Sequence, residues 1–317
     1  MSGVEMVTVA RADDGLRLDR WFRQHYPAVK QGQLQKMLRK GQVRVDGAKV
    51  EANRRLSPGE VVRVPPVPAA TPAGKAAASA QDREEIRSFV LYEDDRLIAI
   101  NKPFGLPVQG GSGVARHLDG MLDGLAKGGE RPRLVHRLDK DTGGLMLLAR
   151  DRLAAKDLTE SFRRHLIEKT YWALVAGVPH PLEGTIDLPV EKGGPEGAER
   201  MGASEGGKKA ITDYQTVEMA AGKAAFLALR PLTGRTHQLR VHMDAIGTPI
   251  VGDGKYGGER AKLEGVSKRM HLFCRTMSVP RDGKPPLELT APLTGHMAKT
   301  WDFFAFPRDV EVEWPDR

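Results

Sequence analysis

A run of proline and small residues divides the chain into a short first part and a long second part. Residues 65–81 read PPVPAATPAGKAAASAQ, and such a sequence offers few side chains to a hydrophobic core. We therefore predict a linker over 65–82, a small domain over 1–64 and a larger domain over 83–317. Because 40% of the 317 residues are hydrophobic, a sizeable core can form.

The small domain carries the pattern of two short helices followed by strands. Apolar residues recur at helical spacing over 16–22 and again over 33–39. The segment QVRVDGAKV (42–50) alternates apolar and polar residues around a central Asp-Gly pair, which is typical of a β-hairpin. VVRV at 61–64 predicts a further strand.

Positive charge is concentrated in this small domain. The whole chain has a formal net charge of +8, and residues 1–64 hold 13 Lys/Arg against 7 Asp/Glu, a surplus of 6. A small basic module is typical of a nucleic-acid-binding domain. The alternative from charge alone is a solvated charged face.

Several classes of protein are disfavoured. The single cysteine, Cys274, excludes an internal disulfide and a cysteine-rich metal site, and we expect it to be a buried small apolar residue. No stretch approaches the roughly 20 apolar residues that span a bilayer, and the first residues are acidic where a signal peptide would be apolar. We expect a soluble cytoplasmic protein without a membrane partner.

The larger domain is rich in short strands separated by Gly and Pro. Six segments read as strands: LIAINKP, GLMLLAR, KTYWALVAG, AITDYQTVEM, AAFLALRPL and KPPLELTAPL. Helical patterns fall near 151–165 and 234–246, and the Gly- and charge-rich segment 191–209 predicts a mobile surface loop. Since strands outnumber helices and do not alternate strictly with them, the pattern favours an α+β fold over a doubly wound sheet.

Three segments of the larger domain match the motifs of a known family. HRLDKDTGG (136–144) resembles the HRLDxxTSG signature of the RluA-type RNA pseudouridine synthases, NKPFGLPV (101–108) resembles their upstream NKPxG segment, and GRTHQLRVHM with GTPIVGDGKYG (234–257) resembles their C-terminal motif. The resemblance covers about 83–306 and departs at Gly143, where Ser is usual, and at Gln109, where His is frequent. It implies an α+β catalytic domain built on a mostly antiparallel mixed sheet.

The small domain resembles the S4 RNA-binding domain, and the two resemblances together point to the RluC/RluD branch of the family. Its basic side chains would then line an RNA face, where phosphate contacts give affinity and salt dependence. Gln31-Gly32 stands where a polar Ser or Arg is usual. The predicted RNA contacts are Arg17, Arg20, Lys36, Arg39, Lys40 and Arg44.

The family resemblance implies that uridine is isomerised to pseudouridine by a catalytic aspartate, which falls on Asp139. The C1′–N1 bond breaks, the uracil turns, and C5 bonds to C1′, without redox change or group transfer, so no cofactor is expected. A carboxylate can either attack the sugar or abstract a sugar proton. Judged by residue type alone, Asp139 would more often cap a turn. The family's arginine partner of this carboxylate falls on Arg240, for which a phosphate contact is the alternative.

Two further roles follow from the resemblance. Tyr171 matches the tyrosine that lies against the uracil, although an ordinary strand aromatic beside Trp172 would give the same pattern. Since the target nucleotide must leave the helix stack, Arg137 would fill the gap it leaves, or else anchor a phosphate.

The same residues are compatible with other functions. His136, His237 and His242 lack the spacing of a metal site, so we expect structural or RNA-facing histidines and no metal. A glycoside hydrolase would need a second acid, for which only Asp141 is near. A non-catalytic S4-type RNA-binding or ribosome-assembly protein is the other alternative. The expected partner is structured RNA, 23S rRNA or a large-subunit assembly intermediate, bound by a monomer.

Overall fold

The computed structural model describes residues 3–67, 79–111, 114–193, 200–204 and 206–314. The chain forms two compact units, Met1–Ala77 and Ala78–Arg317. Most of the predicted linker lies outside the described residues, and its last residues begin a helix, so the predicted domain boundaries stay a prediction.

The first unit is a four-stranded antiparallel sheet with two helices. The strands β1 (Glu5–Thr8), β2 (Arg44–Val45), β3 (Ala48–Lys49) and β4 (Val61–Val64) lie in the order β1-β4-β2-β3. The helices are α1 (Leu18–His25) and α2 (Gln31–Arg39). The hairpin turn at Asp46 and Gly47 has positive φ at both residues, 47° and 77°, as a tight two-residue turn requires.

The apolar positions read from the sequence form the core of this unit. Leu18, Trp21 and Phe22 of α1 and Leu34 of α2 are each at most 2% exposed. They pack with the inward side chains of β4, whose alternating pattern buries Val62 and Val64. The apolar faces of the two helices and the inward side chains of the strand thus form one core. Strand β1 was not predicted, because most of its side chains are exposed.

The second unit is built on one large mixed sheet. Within the described residues, ten strands form it, and eight of them lie in the order β10 (Glu183–Asp187), β13 (Ile211–Ala220), β14 (Ala224–Pro231), β9 (Glu168–Ala176), β15 (Leu272–Arg281), β8 (Gly143–Ala149), β6 (Leu97–Lys102) and β5 (Val90–Glu93). In addition, β16 (Lys284–Thr290) pairs with β15, and β7 (Arg133–Leu134) pairs with β8. The pairings are antiparallel except for the parallel contact of β15 with β8. The predicted α+β class and the mostly antiparallel mixed sheet are confirmed.

Outside this sheet, the strands β11 (Val190–Gly193) and β12 (Arg200–Ala203) form a separate pair. The helices are α3 (Ala80–Ser88), α4 (Leu118–Met121), α5 (Arg152–Arg163), α6 (Gln238–Ala245) and α7 (Gly295–Phe304).

Central strands of the sheet are buried on both faces, which explains their continuous apolar sequences. Every residue of β8 is buried. On one face of β9 and β14, Trp172 and Phe226 pack against Trp301 of α7. On the other face, Met243 of α6 belongs to a second apolar cluster. Helix α7 and strand β15 were not among the predicted elements.

The prediction of a mobile loop over 191–209 needs correction. Its described parts include the paired strands β11 and β12, with Val190 opposite Ala203 and Glu191 opposite Gly202. Residues 194–199 and 205 lie outside the described residues. The high Gly content hid the pairing, because these strands have few apolar side chains to reveal a period. No described helix has the length and apolar character needed to cross a membrane.

Candidate active site

Three stretches that are far apart in sequence meet at one cavity of the second unit. Its wall is formed mostly by residues from the stretches 136–142, 159–171 and 231–240, and its volume is about 500 Å³. Asp139, Tyr171, Arg240 and Arg137 all line it. The structure therefore brings together the four residues of the larger domain for which roles were predicted.

Asp139 stands on the loop between β7 and β8. The neighbouring Leu138 is buried, and the Thr142 amide donates to the Asp139 carbonyl oxygen at 3.2 Å. Strand β8 then begins at Gly143, and its second residue, Gly144, has a φ of 104°, where a Cβ would collide with the Cys274 backbone. Only glycine meets both conditions, so the loop enters β8 at a fixed place.

The departure at Gly143 from the family signature has a structural counterpart. A Cβ on Gly143 would lie 2.8 Å from the Phe104 ring. Phe104 packs edge-on to His296, with ring centroids 4.4 Å apart. In this chain, the phenyl ring thus occupies the space next to a residue without a side chain.

The Asp139 carboxylate faces two basic side chains. Its Oδ2 atom accepts a hydrogen bond from Arg240 Nη1 at 3.2 Å and lies 3.5 Å from His237 Nε2. The carboxylate keeps 23% of its exposure. It is therefore held beside positive charge and still open to the cavity.

Arg240 is shared between two carboxylates. Besides Asp139 it donates Nε and Nη2 to the two oxygens of Asp253 at 2.7 and 2.8 Å. Asp253 is buried, and its Oδ1 also accepts the backbone amides of Lys255 and Tyr256 at 3.0 and 3.2 Å. Burial lowers the Arg240 pKa, but the hydrogen bonds and charge of Asp253, with the charge of Asp139, raise it overall. The guanidinium is thus charged and fixed in orientation.

His237 and Tyr256 complete the surroundings of the carboxylate. His237 precedes α6 in the left-handed backbone region, with φ of 55°. Its Nδ1 atom is hydrogen bonded to Tyr256 Oη at 2.7 Å, and the Tyr256 ring lies 5.0 Å from the Arg240 guanidinium. Burial lowers the pKa of His237, while the Asp139 charge opposes that shift. The sequence reading of His237 as structural or RNA-facing missed its contact with Asp139.

Tyr171 reaches the cavity from β9. Successive strand residues point to opposite faces, so Tyr171 lines the cavity while Trp172 is only 2% exposed and packs in the core. Burial, then the neighbouring Cys274, raises the pKa of Tyr171 well above 10. The phenol therefore stays protonated at neutral pH.

Lys102 joins the NKPFG segment to the Asp139 loop. Its buried Nζ atom donates to the carbonyl oxygens of Pro103 and Leu106 at 2.9 Å and of Lys140 at 3.2 Å. The Gly105 amide also donates to Lys140 at 2.9 Å. Burial lowers the pKa of Lys102 to about 8, against the charges of Asp141 and Asp139. The segment was recognised in the sequence, but this clamp was not.

The other two histidines of the motifs make structural contacts. His136 stacks on Phe162 with a centroid distance of 4.3 Å, and its Nε2 atom accepts the Leu147 amide at 2.9 Å. Burial lowers the pKa of His136 to about 3, so it is neutral. His242 is buried with hydrogen bonds to Thr212 and the Leu188 carbonyl oxygen. Among the described residues no group of His, Cys, Asp and Glu could hold a metal ion, and the expected absence of a metal stays a prediction.

The six predicted RNA contacts of the first unit differ in whether their side chains are already bound to other groups of the protein. Arg20, Lys36, Arg39 and Lys40 are exposed. Arg17 instead pairs with Asp19 at 2.7 Å, and Arg44 donates to the carbonyl oxygens of Gly41 and Gly47 at 3.1 and 2.9 Å. These two arginines are already engaged by the protein.

Comparison with known proteins agrees with the motifs and the fold. The family described as RNA pseudouridylate synthase matches residues 96–245, and the S4 domain matches residues 16–62. The ribosomal large subunit pseudouridine synthase C of Rickettsia bellii is 35% identical over 86% of this chain and 92% of its own length. That of Haemophilus ducreyi is 33% identical over 93% of this chain and 94% of its own length.

A solved structure gives the same result. The human RNA pseudouridylate synthase domain containing 4 protein matches with a TM-score of 0.60 and 30% identity, over 71% of this chain and 97% of that one. Fold and matched domains together define an RNA-modifying enzyme with an S4 module. The chain belongs to the RNA pseudouridylate synthase family. The predicted family and enzyme class are thereby confirmed over the hydrolase and the non-catalytic alternatives.

Proposed function

We propose that this enzyme isomerises specific uridines of 23S rRNA, either in the free RNA or in an assembly intermediate of the large ribosomal subunit. The names of the Rickettsia and Haemophilus relatives refer to the large subunit, and this chain covers 92% and 94% of their lengths. The enzyme acts as a monomer in the cytoplasm, where bacterial ribosomal RNA is assembled. Residues 1–64 serve as its RNA-binding module.

Asp139 is the catalytic carboxylate in this proposal. The observation that supports it best is the Asp139–Arg240 contact of 3.2 Å at the wall of a cavity of about 500 Å³. A cavity of this size accommodates a flipped nucleoside. Arg240 orients the carboxylate, and its fork to Asp253 prevents it from moving away.

The reaction then proceeds without an outside reactant. Asp139 attacks C1′ or removes the proton at C2′, and in both routes the C1′–N1 bond breaks with its electron pair on the uracil. The uracil turns and C5 bonds to C1′; in the first route this breaks the bond between Asp139 and C1′, and in the second Asp139 returns the proton to C2′. The C5 proton is then lost and N1 gains a proton, which conserves all the atoms of uridine.

Tyr171 and Arg137 hold the nucleotide in place. The Tyr171 ring offers a flat surface for the uracil, and its phenol, protonated at neutral pH, is placed to relay the C5 proton. Arg137 is exposed at the edge of the cavity, where its guanidinium can occupy the space that the flipped base leaves in the RNA.

The proposed substrate is tested with RNA that carries tritium at uridine C5. We expect tritium release from a 23S rRNA transcript or a large-subunit precursor particle, unchanged by EDTA, and no release from a 16S transcript of equal uridine content. Mass spectrometry of the digested product should show pseudouridine. Release of free uracil, or absence of release from both large-subunit substrates at saturating enzyme, would contradict the proposal.

A further inference from the structure

Lys169 lies on the strand that carries Tyr171, two residues before it. Residues two apart on a strand share a face, and both side chains line the cavity. Lys169 is partly buried. A lysine at this position brings a positive charge to the wall against which the base would lie.

Three groups near this ammonium are an aromatic ring and two side chains that are uncharged at neutral pH. Lys169 Nζ lies 5.7 Å from the centre of the Phe162 ring, which stacks on His136. The pKa of His136 is lowered to about 3 by burial, and the pKa of the Cys274 thiol is raised to about 12 by burial. At neutral pH neither group carries a charge.

Lys169 therefore has no counter-ion of its own. Within the described part of the chain its ammonium group takes part in no ion pair and no hydrogen bond, and burial lowers its pKa from 10.5. A partly dehydrated cation without a partner is unfavourable. Such a group is retained where an anion enters the site during function.

The other cations of the cavity are placed differently. Arg240 is already bound to Asp139 and Asp253. Arg137 and Arg235 are exposed, and Arg235 Nε donates to the Lys209 carbonyl oxygen. Exposed arginines suit phosphates at the cavity edge. Lys169 also lines the cavity but is partly buried, and it lies on the strand that carries Tyr171.

We propose that Lys169 is a further catalytic residue whose ammonium stabilises the negative charge on the detached uracil. This inference rests on the proposed function. When the C1′–N1 bond breaks, the electron pair passes to N1 and spreads to the carbonyl oxygens O2 and O4. A cation beside one of these oxygens interacts more strongly with the anion than with the neutral uridine, and so lowers the barrier to cleavage.

Lys169→Met tests this inference, with Lys169→Gln and Lys169→Arg beside it and the exposed Lys299→Met as control. Single-turnover rates are measured at saturating enzyme on a 23S transcript that the wild type modifies, and binding is measured separately. We expect the Met and Gln variants to lose about 100-fold in rate, with RNA binding unchanged and a melting temperature that is not lowered, because an unpaired, partly dehydrated cation has been removed. Arg should restore part of the rate, and Lys299→Met should match the wild type.

A second substrate separates leaving-group stabilisation from other roles. RNA with 5-fluorouridine at the target position carries a less basic leaving group, so its cleavage should lose less from Lys169→Met than cleavage of uridine does. Weaker binding with an unchanged saturating rate would assign Lys169 to a phosphate and overturn the inference. Equal losses for the two bases would also overturn it. A wild type inactive on every ribosomal substrate would refute the proposed function itself.

Discussion

Arg240 joins two aspartates whose settings differ in almost every respect. Asp253 is 1% exposed and accepts both prongs of the guanidinium and two backbone amides. Asp139 is 23% exposed and accepts one hydrogen bond from Arg240, at 3.2 Å. The Asp253 carboxylate thus accepts four hydrogen bonds from the protein, whereas that of Asp139 accepts one and keeps lone pairs for a ligand.

In the proposed mechanism, Asp253 has a structural role and Asp139 has a chemical one. Asp253 fixes the arginine, and the arginine presents Asp139 to the cavity. A reactive carboxylate needs free lone pairs and a fixed direction, and these demands conflict when one residue must meet both alone. Dividing them between Asp139 and Asp253 resolves the conflict.

Asp139→Asn should have the largest effect on the reaction. The amide keeps the shape but removes the charge that, in the proposed mechanism, attacks or deprotonates the sugar, so we expect the single-turnover rate to fall at least about 10⁴-fold. RNA affinity, measured by filter binding, should be unchanged. Asp141→Asn, an exposed neighbour on the same loop, is the matched control and should retain activity. Equal losses in both variants would remove the distinction on which Asp139 is chosen.

Asp253→Asn should lose less activity and more stability. Without the buried charge, Arg240 is left partly unpaired, which costs about 3 to 5 kcal/mol in the free energy of unfolding. The rate should fall about 100-fold, because Asp139 is less well oriented. Asp244 lies on α6, the helix that carries Arg240, and forms a more exposed ion pair with Arg260. Asp244→Asn should therefore lower the free energy of unfolding by less than about 1 kcal/mol. A stable Asp253→Asn enzyme with full activity would refute the anchoring role.

Acid should destabilise the fold through His136, which supports the strand that follows the Asp139 loop. Its folded pKa of about 3 lies below the ordinary 6.5, so the unfolded chain binds more protons between these values. Its stabilising contribution is therefore full above pH 6.5 and falls as the pH drops towards 3. Between pH 7 and 5 the loss should be about 2 kcal/mol.

Urea unfolding of wild type and His136→Gln at the two pH values measures this contribution. Glutamine keeps an acceptor for the Leu147 amide but does not titrate in this range. The difference between pH 7 and pH 5 should therefore shrink in the variant. An identical pH dependence in both proteins would show that His136 is not the group responsible.

The smallest expected effect is on RNA binding by the first unit, where Arg17, which is paired with Asp19, can be compared with the exposed Arg39. Arg39→Gln should reduce the slope of log affinity against log salt concentration by about 1, as loss of one phosphate contact does. Arg17 is paired with Asp19, so Arg17→Gln should change the slope less. Filter binding across a salt series decides, and a larger effect at Arg17 would reverse the assignment of the RNA face.

The sequence predicted the fold class and the residues that meet at the cavity, but not their supports. Asp139, Tyr171 and Arg240 stand in segments that match a family. Asp253 and Lys102 lie in the same matched segments, yet their roles depend on partners 13 and 38 positions away in the chain. No local pattern encodes which carbonyl oxygen a lysine will reach.

Elements with weak patterns were missed for a similar reason. Strand β12 and the turn residues near it are rich in glycine, so neither period of apolar residues is visible. His237 looked like one basic residue among several in the run from Arg235 to His242. Its contact with Asp139 depends on a left-handed backbone that only the folded chain shows.

A structure of the enzyme bound to 23S rRNA fragments with 5-fluorouridine at the modified position would test the central claim most directly. We expect a flipped nucleotide in the cavity, with its base against Tyr171 and its C1′ or C2′ within about 3.5 Å of an Asp139 carboxylate oxygen. A nucleotide bound elsewhere, with Asp139 still closed against Arg240 and out of reach of the sugar, would contradict it.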